Sequence, residues 1–240
     1  MSDNQRKFLD YLAEWQAALP EKSFPEISNT PEEVALLSVD LVNGFCSTGP
    51  LASPRVQAIV PAVSRLFQDA RAYGIRNMVF TQDTHEPDAV EFGSFPPHCV
   101  RGTYESETIP ELKALSFFDE IEIIEKNSIH SGINTGLQRW IDAHPRVTTY
   151  LIVGDCTDLC VYQLAMHFRL DANASQKTRK VIVPEDCVAT YDMPVEIAQS
   201  VGAFPHDGEL LHTVFLYHMA LNGIEVVKTI LPASGSRQDL

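Results

Sequence analysis

Cys160 lies in the run Gly154-Asp-Cys-Thr-Asp-Leu-Cys-Val161, where one apolar stretch stops at a glycine and a second begins within a few residues. A strand followed at once by a helix fits that pattern. It places the sulfur at a helix N-terminus, where the dipole and unpaired N–H groups lower a thiol pKa and favour thiolate. The same N–H groups can hold an oxyanion. By residue type alone a cysteine is more often a small buried hydrophobe. A nucleophilic thiol needs a proton acceptor and a charge partner, and Asp40 and Lys126 each end another short apolar run. An Asp can take the thiol proton and return it to a leaving amine, while an ammonium stabilises the ionised forms of both. Taken singly, Asp40 also reads as a cap and Lys126 as a solvated loop charge. Their arrival with Cys160 on one rim is what points to covalent catalysis.

A second group lies in Asp83-Thr-His85-Glu-Pro-Asp-Ala-Val-Glu91 and Phe95-Pro-Pro-His98-Cys99. Asp83 and His85 are separated by one residue, so in extended backbone both side chains point the same way. The rigid Pro-Pro turn can bring His98 back towards them, with Glu91 as a fourth candidate. Imidazole with carboxylate suits zinc, iron or manganese, and a cation beside a thiol polarises a ring nitrogen or a carbonyl. A polar loop with hydrogen-bonded histidines is the alternative.

The elements that must position these residues follow from periodicity. Asn4–Ala18 carries Phe8, Leu9, Tyr11, Leu12 and Trp15 near helical spacing, and the prolines up to Pro31 then break it into an extended arm. Short apolar runs predict buried strands at 34–40, 77–81, 121–125, 149–154, 180–184 and 225–229. Between them, helical spacing predicts helices at 58–73, 135–143, 159–171, 194–204 and 208–222, with Gly74 as a stop signal. Strands alternating with helices require crossovers, so the expected fold is α/β: a three-layer αβα sandwich around a mostly parallel sheet. Ligands then bind beyond the carboxyl ends of the strands, where Asp40, Asp83, Lys126 and Cys160 fall. The domain expectation is an N-terminal helix and arm over 1–31, a catalytic domain over 32–232 and a polar tail over 233–240.

The 240 residues are 45% hydrophobic, enough for a full core. With 18 Lys and Arg against 32 Asp and Glu, the net charge of −14 disfavours nucleic acid and anionic membranes as partners. No apolar run approaches the roughly 18 residues of a membrane span. Five cysteines, an odd number, suggest reduced thiols and a cytoplasmic protein. The expected partners are a small molecule and further copies of the chain.

At these residues the sequence resembles the nicotinamidases of the isochorismatase-like cysteine hydrolase superfamily, in particular their plant-type members. The matching stretches are Val39-Asp-Leu-Val-Asn-Gly-Phe-Cys46, the 83–98 block, Pro96-Pro-His-Cys-Val-Arg-Gly-Thr103, Ile124-Glu-Lys-Asn127, 154–161 and Cys187-Val-Ala-Thr-Tyr-Asp192. The resemblance implies Cys160 as nucleophile, Asp40 as general base and acid, and Lys126 as third member of the triad. It implies a divalent metal, zinc first and iron or manganese otherwise, on Asp83, His85 and His98, with Glu91 where the family has His or Glu. Phe45 and Phe95 match pocket-lining positions. The Asp155–Cys156 peptide corresponds to one that is cis in the family, aiming the N–H groups of Cys156 and Cys160 into an oxyanion hole. The implied reaction is deamidation of nicotinamide; hydrolysis of another small amide, vinyl-ether hydrolysis and a non-catalytic binding role are the alternatives. Val42, Gly44 and Phe95 depart from common family choices and bear on substrate.

Overall fold

The apolar runs become strands because each is sealed on both faces. In the computed structural model, which describes residues 1–233 of the chain, every residue of the strands Val34–Val39 and Thr149–Asp155 is buried. In chain order the elements begin with α1 (Asp3–Ala17), β1 (Lys22–Ser23), α2 (Phe24–Ile27), β2 (Val34–Val39), α3 (Asn43–Cys46), α4 (Pro54–Tyr73), β3 (Asn77–Asp83), α5 (Pro110–Lys113) and β4 (Glu122–Lys126). They continue with α6 (Leu137–Ala143), β5 (Thr149–Asp155), α7 (Cys160–Ala174), β6 (Lys180–Pro184), β7 (Val188–Ala189), α8 (Val195–Val201), α9 (Gly208–Leu221), β8 (Glu225–Val227) and β9 (Ile230–Leu231).

The main sheet runs β4-β3-β2-β5-β6-β8, with β7 paired to β5, and all these pairs are parallel. The chain therefore lays strands outward from β2 on one side, then returns to start again at β5 on the other. A sheet built this way opens a crevice at the carboxyl ends of the two central strands, where the direction reverses. Asp40 directly follows β2, and Asp155 ends β5. Their close approach constrains Gly154: with φ at 112°, its added Cβ would lie 2.0 Å from the Val39 carbonyl oxygen, so no side chain fits.

Two hydrophobic clusters cover the two faces of the sheet. One joins Leu36, Phe80 and Val153 to Val60, Val63 and Phe67 of α4; the other joins Leu37, Tyr150 and Ile152 to Leu164 and Phe168 of α7 and Leu216 of α9. Each large apolar side chain sealed this way stabilises the fold by about 1.5–3 kcal/mol. Residue spacing predicted this α/β sandwich, and its sheet and flanking helices are present. The predicted third strand is shifted, so that Lys126 is its last residue rather than the first of a loop. The predicted last strand stops early, at Val227 of β8 in the main sheet, and an unpredicted strand beyond it, β9, pairs with β1 in a small second sheet.

That small sheet ties down the N-terminal arm. Phe24 and Ile27 of α2 enter the α4-side core. From α1, Trp15 packs edge-on against Tyr217, with ring centroids 5.2 Å apart. Gln16 donates to Glu185 and accepts from Thr213, each at 2.6 Å. Of the predicted polar tail, residues 234–240 lie outside the described residues. Among the described residues no helix is long and apolar enough to cross a membrane.

Candidate active site

Parallel register does the first step of assembly. Asp83 and Lys126 are partners across β3 and β4, so their side chains leave the sheet side by side. Asp40 sits one strand over with φ at 54°, and its carboxylate Oδ1 accepts the Asp83 backbone N–H at 2.8 Å. The Lys126 ammonium lies between them, 2.5 Å from Asp83 Oδ1 and 2.8 Å from Asp40 Oδ2. It also donates to Ser128 O at 3.2 Å and to Cys160 Sγ at 3.6 Å. Asp40, Asp83 and Lys126 are each at most 2% exposed, so these interactions act without the screening that water provides.

The charges are unequal in consequence. Burial, with the Asp83 charge beside it, pushes the Asp40 carboxyl up to about 6 against the opposing pull of Lys126. Burial acts on Asp83 in the same direction, but Lys126 and the two adjacent imidazoles outweigh it and hold Asp83 well below the ordinary carboxylate range. Lys126 is itself held protonated: desolvation disfavours its charge, and Asp40 and Asp83 more than compensate.

Cys160 is the first residue of α7, as its sequence context predicts, and Asp40 Oδ, Asp83 Oδ and Cys160 Sγ all lie within 4.8 Å of one another. One expectation is corrected here. A helix N-terminus was expected to favour thiolate, yet burial pushes the Cys160 thiol well above its ordinary value, with Asp40 and Asp83 adding to the rise and Lys126 opposing it. Cys160 is only 6% exposed and has two acids for neighbours, so desolvation exceeds the dipole. The sulfur accepts a hydrogen bond from the Lys126 ammonium at 3.6 Å and lies within 4.8 Å of an Asp40 carboxylate oxygen.

The second group assembles on the other oxygen of Asp83. His85 Nε2 lies 3.5 Å and His98 Nε2 3.7 Å from Asp83 Oδ2. His85 Nδ1 is 3.0 Å from Asn127 Oδ1, an oxygen that also accepts the Glu86 backbone N–H, and His98 Nδ1 is 2.9 Å from Pro96 O. Both oxygens act as acceptors, so each ring donates through Nδ1 and aims Nε2, its remaining ligand atom, at Asp83. His85 Nε2 is buried and has no hydrogen-bond partner. Three ligand atoms within 4.8 Å, one of them orphaned, fit a divalent cation. Glu91 stands at the margin: Oε1 is 3.9 Å from His85 Nε2, while Oε2 accepts the Ile129 N–H at 3.2 Å.

Phe45 and Phe95 both reach this cluster, their ring centroids 5.4 and 6.3 Å from that of His98. Phe92, which residue spacing did not single out, lies as close, 5.4 Å from His85 and 5.7 Å from His98. Asn127 was likewise missed as an orienting residue, although it directly follows Lys126. The departure at Gly44 has a steric cause, since an added Cβ would meet Cys99 Sγ at 2.5 Å and Glu105 O at 3.1 Å.

The Asp155–Cys156 peptide is cis. In the turn that follows, Thr157 N–H donates to Ala189 O, and the N–H groups of Leu159 and Val161 to Cys156 O. The N–H groups of Cys156 and Cys160 have no such acceptor among the described residues. The Asp155 side chain, named above only for its backbone, is itself buried with Oδ1 unpartnered, and burial, then the Asp40 charge, pushes its carboxyl well up.

Comparison with known proteins is consistent with this geometry. The isochorismatase domain family matches residues 34–226. Nicotinamidase 1 of Arabidopsis thaliana is 32% identical over 221 residues, covering 86% of this chain and 90% of that protein. The pyrazinamidase/nicotinamidase of Streptococcus mutans superposes with a TM-score of 0.64 at 23% identity, over 81% of this chain and 99% of that one. The pyrazinamidase of Pyrococcus horikoshii, solved in complex with zinc, gives 0.62 at 23% identity, over 82% and 99%. The two structures share the fold.

Proposed function

This chain belongs to the isochorismatase family, and from that premise we propose that it is an amidohydrolase converting nicotinamide and water to nicotinic acid and ammonia through a cysteine acyl-thioester. The observation that carries the reading is the buried ammonium of Lys126, set between Asp40, Asp83 and the Cys160 sulfur. A cation so placed has no structural need for a thiol beside it, whereas a nucleophile needs the cation.

In the reaction, Asp40 takes the Cys160 proton, and the new thiolate stays beside Lys126, whose charge offsets what burial costs the anion. The sulfur attacks the carboxamide carbon, and the tetrahedral oxyanion is received by the N–H groups of Cys156 and Cys160. Asp40 then returns its proton to the departing nitrogen, which leaves as ammonia. Water adds to the thioester, and cleavage of the carbon–sulfur bond releases nicotinic acid and restores the thiol. Asp83, His85 and His98, with Glu91 nearby, would hold a divalent cation, zinc being our assignment, which supplies positive charge to polarise the pyridine nitrogen or bound water. Phe45, Phe92 and Phe95 provide aromatic surface for a flat ring.

The test is ammonia release across nicotinamide, pyrazinamide and small carbamoyl compounds. Nicotinamide is expected to have the highest kcat/KM, with nicotinic acid as product; turnover of a carbamoyl compound alone would remove nicotinamide from the proposal while leaving the thiol chemistry in place.

A further inference from the structure

The turn that delivers Cys160 is fastened from behind by a buried acid–imidazole pair for which the reaction above has no use. Asp158 stands two residues before Cys160 and is 7% exposed. Its Oδ1 accepts the Thr190 hydroxyl at 2.6 Å, and its Oδ2 lies 2.7 Å from His206 Nε2. The other ring nitrogen of His206 is 3.0 Å from the Tyr191 carbonyl oxygen, and the imidazole stacks on the Tyr191 ring with centroids 3.9 Å apart. His206 comes from the loop between α8 and α9, 48 residues from Asp158 along the chain.

The protonation state follows from the partners. A carbonyl oxygen only accepts, so Nδ1 carries a proton. Burial acts to raise the Asp158 carboxyl, but the hydrogen bonds from His206 and Thr190 outweigh it and hold Asp158 below its ordinary value, hence ionised. An ionised carboxylate also only accepts, and the imidazole bridges it to the Tyr191 carbonyl oxygen. A charge-assisted bond of this kind is roughly twice as strong as a neutral one. Thr157 is held in parallel, its N–H on Ala189 O and its hydroxyl 2.9 Å from His212 Nδ1.

We propose that His206 is a positioning residue: through Asp158 it sets the path of the turn between β5 and α7, and thereby the aim of the Cys160 sulfur and of the Cys156 and Cys160 N–H groups. The proposal rests on the reading of Cys160 as nucleophile. His206 touches none of the reacting atoms, so its removal acts on transition-state geometry rather than on substrate affinity. A misplacement of about 1 Å costs on the order of 100-fold in rate.

The experiment compares the metal-loaded wild-type enzyme with His206→Ala, Asp158→Asn and the double variant, measuring kcat, KM and thermal midpoint, with and without added imidazole. For His206→Ala we expect kcat to fall about 100-fold with KM within about threefold. Imidazole should restore at least a tenth of the lost rate in His206→Ala and none in Asp158→Asn, and the double variant should be no slower than the worse single one. Should His206→Ala fail to fold, His206→Gln, which keeps one donor in the same space, is read by the same kcat and KM criterion. An unchanged kcat in an active, folded variant, or a loss confined to KM, overturns the proposal. A wild-type enzyme inert to nicotinamide instead counts against the substrate, and the variants are then read on whichever amide releases ammonia; inertness to every amide removes the nucleophile and this proposal with it.

Discussion

The two oxygens of Asp83 face regions built on opposite terms. On the Oδ1 side, Lys126, Asp40 and Cys160 are closed together by protein charges alone, with ion-pair contacts of 2.5 and 2.8 Å. On the Oδ2 side, the nitrogens of His85 and His98 stand off at 3.5 and 3.7 Å, and one of them has no partner. The first region is complete without any added group; the second has the spacing of ligands waiting on a cation. One carboxylate, held well below the ordinary carboxylate range, faces both regions.

The comparison is sharpened first where the effect is largest. Cys160→Ala should lower kcat for nicotinamide by at least about a thousandfold while leaving metal content unchanged; ammonia release within tenfold of wild type would end the covalent mechanism. Lys126→Met comes next. Removing the cation leaves two buried acids unneutralised, at a cost of about 3–5 kcal/mol in urea unfolding, together with loss of turnover. A variant as stable as wild type would show that the acids neutralise each other by sharing a proton.

Changes on the Oδ2 side should spare the fold. His98→Ala should weaken metal binding, measured by competition with a chelator, by at least about tenfold and reduce turnover with it, while unfolding stability of the metal-free protein stays within about 1 kcal/mol. Equal loss of stability in the metal-free state would mean that His98 is part of the packing rather than of a cation site. The smallest effect falls on Glu91→Gln, because one oxygen is engaged by Ile129 and the other is 3.9 Å from His85. Metal affinity should change by less than about tenfold, and a larger drop would make Glu91 a direct ligand.

The layered fold was legible because burial on two faces leaves a local trace. A run such as Val34-Ala-Leu-Leu-Ser-Val has no polar alternation, and α4 carries its stop signal in Gly74, whose φ is 113°. The small strands β1, β7 and β9 left no such trace, since two residues are too few for a period and their pairing is decided by distant chain. Phe92 and Asn127 were hidden for a related reason: each gains its role from a neighbour met only after the loops fold back.

By itself, then, residue order determined which side chains fall at or beside strand ends and which histidines lie close to Asp83 along the chain, because those are matters of spacing along the backbone. Only the tertiary structure decided that Lys126 stands opposite Asp83, that Gly154 passes against Val39 with no room for a Cβ, and that burial pushes the Cys160 thiol up. Strand order and the exclusion of water are set by segments far apart in the chain, and the electrostatic cost of burying a sulfur depends on how thoroughly those segments close over it.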